Sequence, residues 1–246
     1  MKTLSPSVKE ILERQYNKFI SSKIMTEDFI INDPVQFPRR FSKRADIEIA
    51  TFLTACIAWG RRDLILRSAE KLFALMEGRP ASFVMSNNWN RLKNRNIHRT
   101  FFESDLKYFC KGFRHCYAKY GSLENLFTSC TDIWEGITLF RKEMSAGNKG
   151  HFSKHIADPE KSACKRINLA LRWLARSSPV DLHLWKSLKP ASLFIPLDVH
   201  VARNARSLGL LTRKSNDKKA VIELTENLRK FDPEDPVKYD FVLFSL

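Results

Sequence analysis

An all-α fold is what this sequence predicts, on three observations. Apolar residues recur at helical spacing rather than in alternation. Capping residues stand ahead of those runs, and four Asp-Pro pairs (33–34, 158–159, 232–233 and 235–236) give strong helix-start signals. Strand patterns are nearly absent: the best candidate, Leu193–Leu197, contains Pro196. The cap signals predict about ten helices. We read one domain over residues 1–246, with two lobes divided by a break at 145–151 (SAGNKGH).

The elements follow in chain order. Asp46 is the expected cap of a helix through Ile49, Phe52, Leu53, Cys56 and Ile57 to Trp59. It is apolar nearly all round, so it should be central and buried, with Gly60 as its stop. Asp63 should cap a second helix with Leu66, Ala69, Leu72, Phe73 and Met76 inward, and Asp105 should start a third along Leu106, Phe109 and Phe113. Shorter amphipathic segments follow at Ser122–Phe127 and Asp132–Met144. Asp158-Pro159 is expected to open a helix through Arg176, and Asp235-Pro236 a last one. Asp198 reads as the cap of a helix with Val201, Ala202, Ala205 and Leu208 inward, ended by Gly209.

Composition bounds the partners. The 246 residues hold 42 Lys+Arg against 27 Asp+Glu, a formal net charge of +15. Such an excess favours a polyanion, because Lys and Arg neutralise phosphates and release counterions. No apolar run reaches the ~18 residues of a membrane span. The N-terminus lacks a secretory h-region. Five scattered cysteines without a CxxC pair argue against a disulfide framework, a zinc ribbon or an iron–sulfur site. We therefore expect a reduced cytoplasmic protein, nucleoid-associated, monomeric, with no metal, cofactor or membrane partner. Double-stranded DNA is the expected ligand and RNA the alternative.

Basic residues cluster at Arg39–Arg44, at Arg91–Arg99 and over Lys107–Lys119, the last two without an acid. On a helix from Pro159 to Arg176, one face carries Ala163, Cys164, Ile167, Ala170, Leu171 and Leu174. The other carries Lys161, Lys165, Arg172 and Arg176, which predicts a basic stripe that is either solvated or phosphate-facing.

The most distinctive stretch is Leu197-Asp198-Val199-His200-Val201-Ala202-Arg203. It resembles the V-D-x-H-(I/V)-x-R motif of the helix-hairpin-helix DNA glycosylase superfamily, with Leu for the usual Val. The segment from Lys165 to Trp173 resembles the lysine helix of the archaeal 8-oxoguanine glycosylases, and the 33-residue gap from Lys165 to Asp198 is similar to theirs. Glu48–Cys56 resembles the central apolar helix of that fold. Over most of its length the chain looks still closer to a bacterial family known only as a domain of unknown function. Asp33–Arg40, Ala58–Asp63, Lys165–Asn168 and Asp232–Phe241 carry that resemblance. The Gly-rich hairpin usual before the catalytic lysine is missing, and Trp59-Gly60-Arg61 stands where a Gln or Asn is usual.

The glycosylase resemblance implies a two-lobed helix-hairpin-helix fold, a catalytic carboxylate at Asp198 and a Schiff-base lysine at Lys165, with Lys161 as the fallback. His200, Arg203, Arg206, Arg61, Arg62, Lys161 and Arg166 become expected phosphate contacts, and Trp59 a stacking or wedging side chain. The implied activity is that of a base-excision-repair glycosylase and abasic-site lyase, with oxidised guanine as the leading substrate. Two other classes remain open: a non-catalytic DNA- or RNA-binding module, and a helix-turn-helix regulator using Val199–Leu208.

Overall fold

A computed structural model describes residues 7–245, and these are predominantly helical. Ser7 and Glu10 form a reciprocal capping box at the start of α1 (Val8–Ser21), and Ser22 caps α2 (Lys23–Asn32). Asp33-Pro34 opens a single 3-10 turn, Pro34–Gln36. The central helix α3 (Arg44–Ile57) is buried continuously from Glu48 to Ile57. It begins before Asp46, which therefore does not cap it. The Asp46 carboxylate instead accepts from the Ala81 N–H at 2.8 Å and caps α5 (Pro80–Met85) from across the fold.

α4 (Arg62–Leu75) begins just before Asp63, whose carboxylate pairs with Arg61 and Arg67. Between them Gly60 sits at φ +100°, in the left-handed region that favours glycine. A two-stranded antiparallel hairpin, β1 (Asn96–His98) and β2 (Phe101–Phe102), was not foreseen in the sequence. It is too short for alternation to register. α6 (Glu103–Tyr120) follows, then α7 (Leu123–Thr128) capped by Ser122 and α8 (Ile133–Ala146) capped by Asp132.

The predicted helix from Pro159 does not form. The Asp158 carboxylate and carbonyl bond the N–H groups of Glu160, Lys161 and Ser162 to close a turn. The chain then passes through a left-handed Cys164 (φ +48°), and α9 runs from Lys165 to Ala175. Lys161 consequently lies outside the helix. The expected basic stripe is corrected too, because Arg172 and Arg176 are buried at 3% and 1% exposure. Arg172 pairs with Asp181 and Asp240, and Arg176 with Asp181 and Asp235. Asp235 spends its carboxylate on Arg176 and so makes no cap at the Pro236–Tyr239 turn. The chain ends with α10 (Val199–Ser207), α11 (Lys218–Arg229) and α12 (Asp240–Ser245).

One apolar cluster reaches from Leu12 to Leu243, with α3 at its centre packed against α9. Glu48 is fully buried inside it. Its carboxylate accepts from the Tyr117 hydroxyl at 2.6 Å, the Trp185 indole at 2.8 Å and the Leu123 N–H at 3.1 Å, and pairs with Arg44 at 3.3 Å. Three separate segments thus converge on one acid. Glu48→Ala leaves those buried donors unpaired and should lower unfolding free energy by about 3 kcal/mol or more. A urea midpoint within error of the parent would contradict this role.

Candidate active site

The C-terminus of α3 and the N-terminus of α9 meet at one cavity. Lys165 is the first residue of α9, and its Nζ donates to the Ala58 carbonyl at 3.2 Å, just past the last turn of α3. The left-handed turn at Cys164 sets this direction, held by the Cys164 N–H on Ser162 Oγ at 3.1 Å and by Asn168 Nδ2 on the Ala163 carbonyl at 3.1 Å. Helix α10 supplies Asp198, whose Oδ1 accepts from the N–H groups of His200 and Val201, both at 2.9 Å. The cap fixes the carboxylate at the mouth of its helix. Asp33 and Asp240 line the same cavity, of about 900 Å³, so three acids share it with Lys165.

Burial and charge oppose each other here. Loss of hydration lowers the Lys165 pKa below the ordinary lysine value, while Asp198, Asp240 and Asp33 pull it back up and Arg166 adds to the depression. A place at a helix N-terminus disfavours the cation further. Burial raises Asp240 to about 6, against the pull of Arg172 and with the Asp198 charge adding to the rise. Burial also raises Asp33, although the Val35 N–H and Arg62 favour its charged form.

The wall opposite is aromatic and basic. The Arg99 and Arg166 guanidinium carbons lie 4.5 and 5.4 Å from the centroid of the Trp59 ring. A Cβ on Gly60 would stand 2.5 Å from Arg99 Nη1, so glycine there leaves room for that guanidinium. The indole N–H groups of Trp59 and Trp173 face burial without an acceptor among the described residues. Both rings line the cavity. Among the described residues, no group of three or more His, Cys, Asp and Glu side chains is arranged to hold a metal ion, and no helix is long and apolar enough to cross a membrane.

Of the residues singled out in the sequence, Lys165, Asp198, His200, Arg61, Arg62, Arg166 and Trp59 line this cavity. Lys161 and Arg203 are exposed outside its lining. Arg206 is engaged by the carbonyls of Arg213 and Lys214 and by Asn216 Oδ1, at 2.9, 2.8 and 2.6 Å. Sequence reasoning assigned no site role to Asp33, Arg99, Arg172, Asp240 or Phe244, which also line the cavity. The local signals were the Asp-Pro pair at Asp33, the basic cluster ending at Arg99, the basic stripe that included Arg172 and the segment ending at Phe241, none of which pointed to this cavity.

The three acids yield a sign test. Asp198→Asn should lower the Lys165 pKa further, Asp240→Asn and Asp33→Asn less so, whereas Arg166→Ala should raise it. Carbon-13 NMR at the lysine Cε, titrated against pH, reads each shift. A rise on Asp198→Asn would show that the carboxylate does not face the amine.

Comparison with known proteins gives one match. No curated protein and no solved structure matches, and nothing among the comparisons links the chain to the helix-hairpin-helix glycosylases. A family model described as a protein of unknown function, DUF2400, matches residues 33–246 and so takes in Asp33, Trp59, Lys165, Asp198 and Asp240. The chain belongs to the DUF2400 family.

Proposed function

We propose that this protein is a DNA glycosylase with abasic-site lyase activity, acting on a damaged base turned out of the duplex. The observation that carries the reading is the pairing of Lys165, an amine of lowered proton affinity, with the Asp198 carboxylate on the wall of one cavity. The cavity's volume of about 900 Å³ suits a nucleobase with its sugar. Its basic rim suits flanking phosphates.

The chemistry follows from these groups. Neutral Lys165 bonds to C1′ as the C1′–N bond to the base breaks, and the base leaves with that electron pair and takes up a proton. Positive charge develops on the sugar, and the ionised Asp198 carboxylate stabilises it. One amine proton passes to O4′ as the C1′–O4′ bond breaks and the sugar ring opens, leaving a C1′ iminium that keeps the other N–H. Loss of a C2′ proton then expels the 3′ phosphate by β-elimination. The Ala58 carbonyl accepts one amine N–H, which leaves the nitrogen lone pair available.

Borohydride reduction in the presence of duplexes bearing 8-oxoguanine, uracil, alkylated bases or abasic sites tests this reading. A covalent complex is expected for the parent protein and Lys161→Ala, and none for Lys165→Ala. Asp198→Asn keeps a good cap residue, so the fold should survive while base release falls by about 10²-fold or more. Trapping on an abasic duplex should increase with pH and reach half its maximum below 10.5, the ordinary lysine value, because only the neutral amine attacks. Binding without trapping on every duplex would favour the non-catalytic reading, with Asp198 as a helix cap alone.

A further inference from the structure

A second concavity, of about 820 Å³, lies between α6 and the loop that follows α8. Lys107, Lys111 and Arg114 stand along one face of α6 at i, i+4 and i+7, and Lys149 and His151 form the facing wall. No Asp or Glu lines it. Glu143, which pairs with the lining residue His115 at 2.8 Å, is buried and also engaged by Lys119 at 2.7 Å.

The groove is built rather than incidental. Lys111 Nζ stands 5.8 Å from the Trp89 ring centroid, Lys107 donates to the Asn90 carbonyl at 3.4 Å, and Arg114 bonds Asn87. These tethers hold the cations over one side. On the other, Asn148 Nδ2 donates to the carbonyls of Tyr108 and Met144, both at 2.9 Å, and pins the loop to α6. A Cβ on Gly147 would stand 2.8 Å from the Lys111 carbonyl oxygen, so only glycine lets the loop approach this closely.

We propose that this groove binds the phosphodiester backbone of duplex DNA flanking the stretch held at the cavity. A concavity of this size with four lysine and arginine side chains exceeds what one phosphate requires and suits a run of them. Its position fits that use. His151 of the groove and Lys154 of the cavity are three residues apart, so their Cα atoms are within about 11 Å. A duplex rises ~3.4 Å per base pair, so one duplex can run past both neighbouring edges. The flanking role rests on the function proposed above, whereas the groove's affinity for duplex does not.

Salt-titrated fluorescence anisotropy of the full chain with undamaged and abasic duplexes several helical turns long tests the groove. Combined Lys107→Ala, Lys111→Ala and Arg114→Ala should reduce the slope of log K against log salt by about two to three, at ~0.9 per phosphate contact. Lys149→Glu, in the exposed loop, should weaken binding in the same direction without touching α6. Unchanged slopes in both variants would overturn the proposal. So would absence of duplex binding by the parent, or binding of polyglutamate in place of duplex, which would point to an acidic protein. A slope that responds to the variants while borohydride traps nothing would leave the groove standing and remove the glycosylase chemistry.

Discussion

A guanidinium with almost no access to water must find carboxylates, and the way Arg172 finds them organises much of this molecule. Asp181 comes from the irregular segment after α9 and Asp240 from the start of α12, and both close on Arg172. One turn on, Arg176 shares Asp181 and adds Asp235. Breaking such a buried pair by removing one partner typically costs about 3–5 kcal/mol, because the remaining charge stays buried. The pairs therefore tie the position of α9 to that of the C-terminal segment, since neither partner can be displaced without leaving a buried charge unpaired. They also fix Asp240 beside Lys165, so one network serves the fold and sets the charge at the cavity.

The other half of the site depends on helix ends. α3 ends against the cavity, and the Ala58 carbonyl just beyond it takes the Lys165 amine. α9 begins there, so its unpaired N–H end and the lysine share one place, and the amine is pushed toward its neutral form. α10 also begins at the cavity, with Asp198 held by two backbone N–H groups. A cap is often set against a catalytic role for such an aspartate. In the proposed reaction the cap supplies the rigidity that a charge-stabilising carboxylate needs, because a group that must not reorganise is best held by backbone.

Much of this was legible in the sequence, and the failures have physical causes. The helical period gave the fold class, Asp198 caps the helix it was expected to cap, and the segments read from Ser122 and Asp132 are helices capped by those residues. Asp46 and Asp158 mislead because an aspartate next to an apolar run satisfies whichever N–H groups lie nearest, and those belong to Ala81 and to a closed turn. The buried Arg172 and Arg176 looked like a solvated stripe because their acid partners are remote in sequence, at Asp181, Asp235 and Asp240. The same remoteness hid Asp33 and Asp240 as neighbours of Lys165. Lys165 and Asp198 were found because each sits in a motif readable in one dimension. Clustering of cations along α6 was equally readable, but their convergence with Lys149 and His151 required the fold.

The central claim is that Lys165 acts as a nucleophile toward an aldehydic or glycosidic carbon in DNA. Its most direct measurement is peptide mapping by mass spectrometry after borohydride reduction of the parent protein with an abasic duplex. The account predicts a sugar-derived adduct on the peptide containing Lys165 and on that lysine alone. An adduct centred on Lys161 or another exposed lysine, or no adduct while the duplex stays bound, would contradict it.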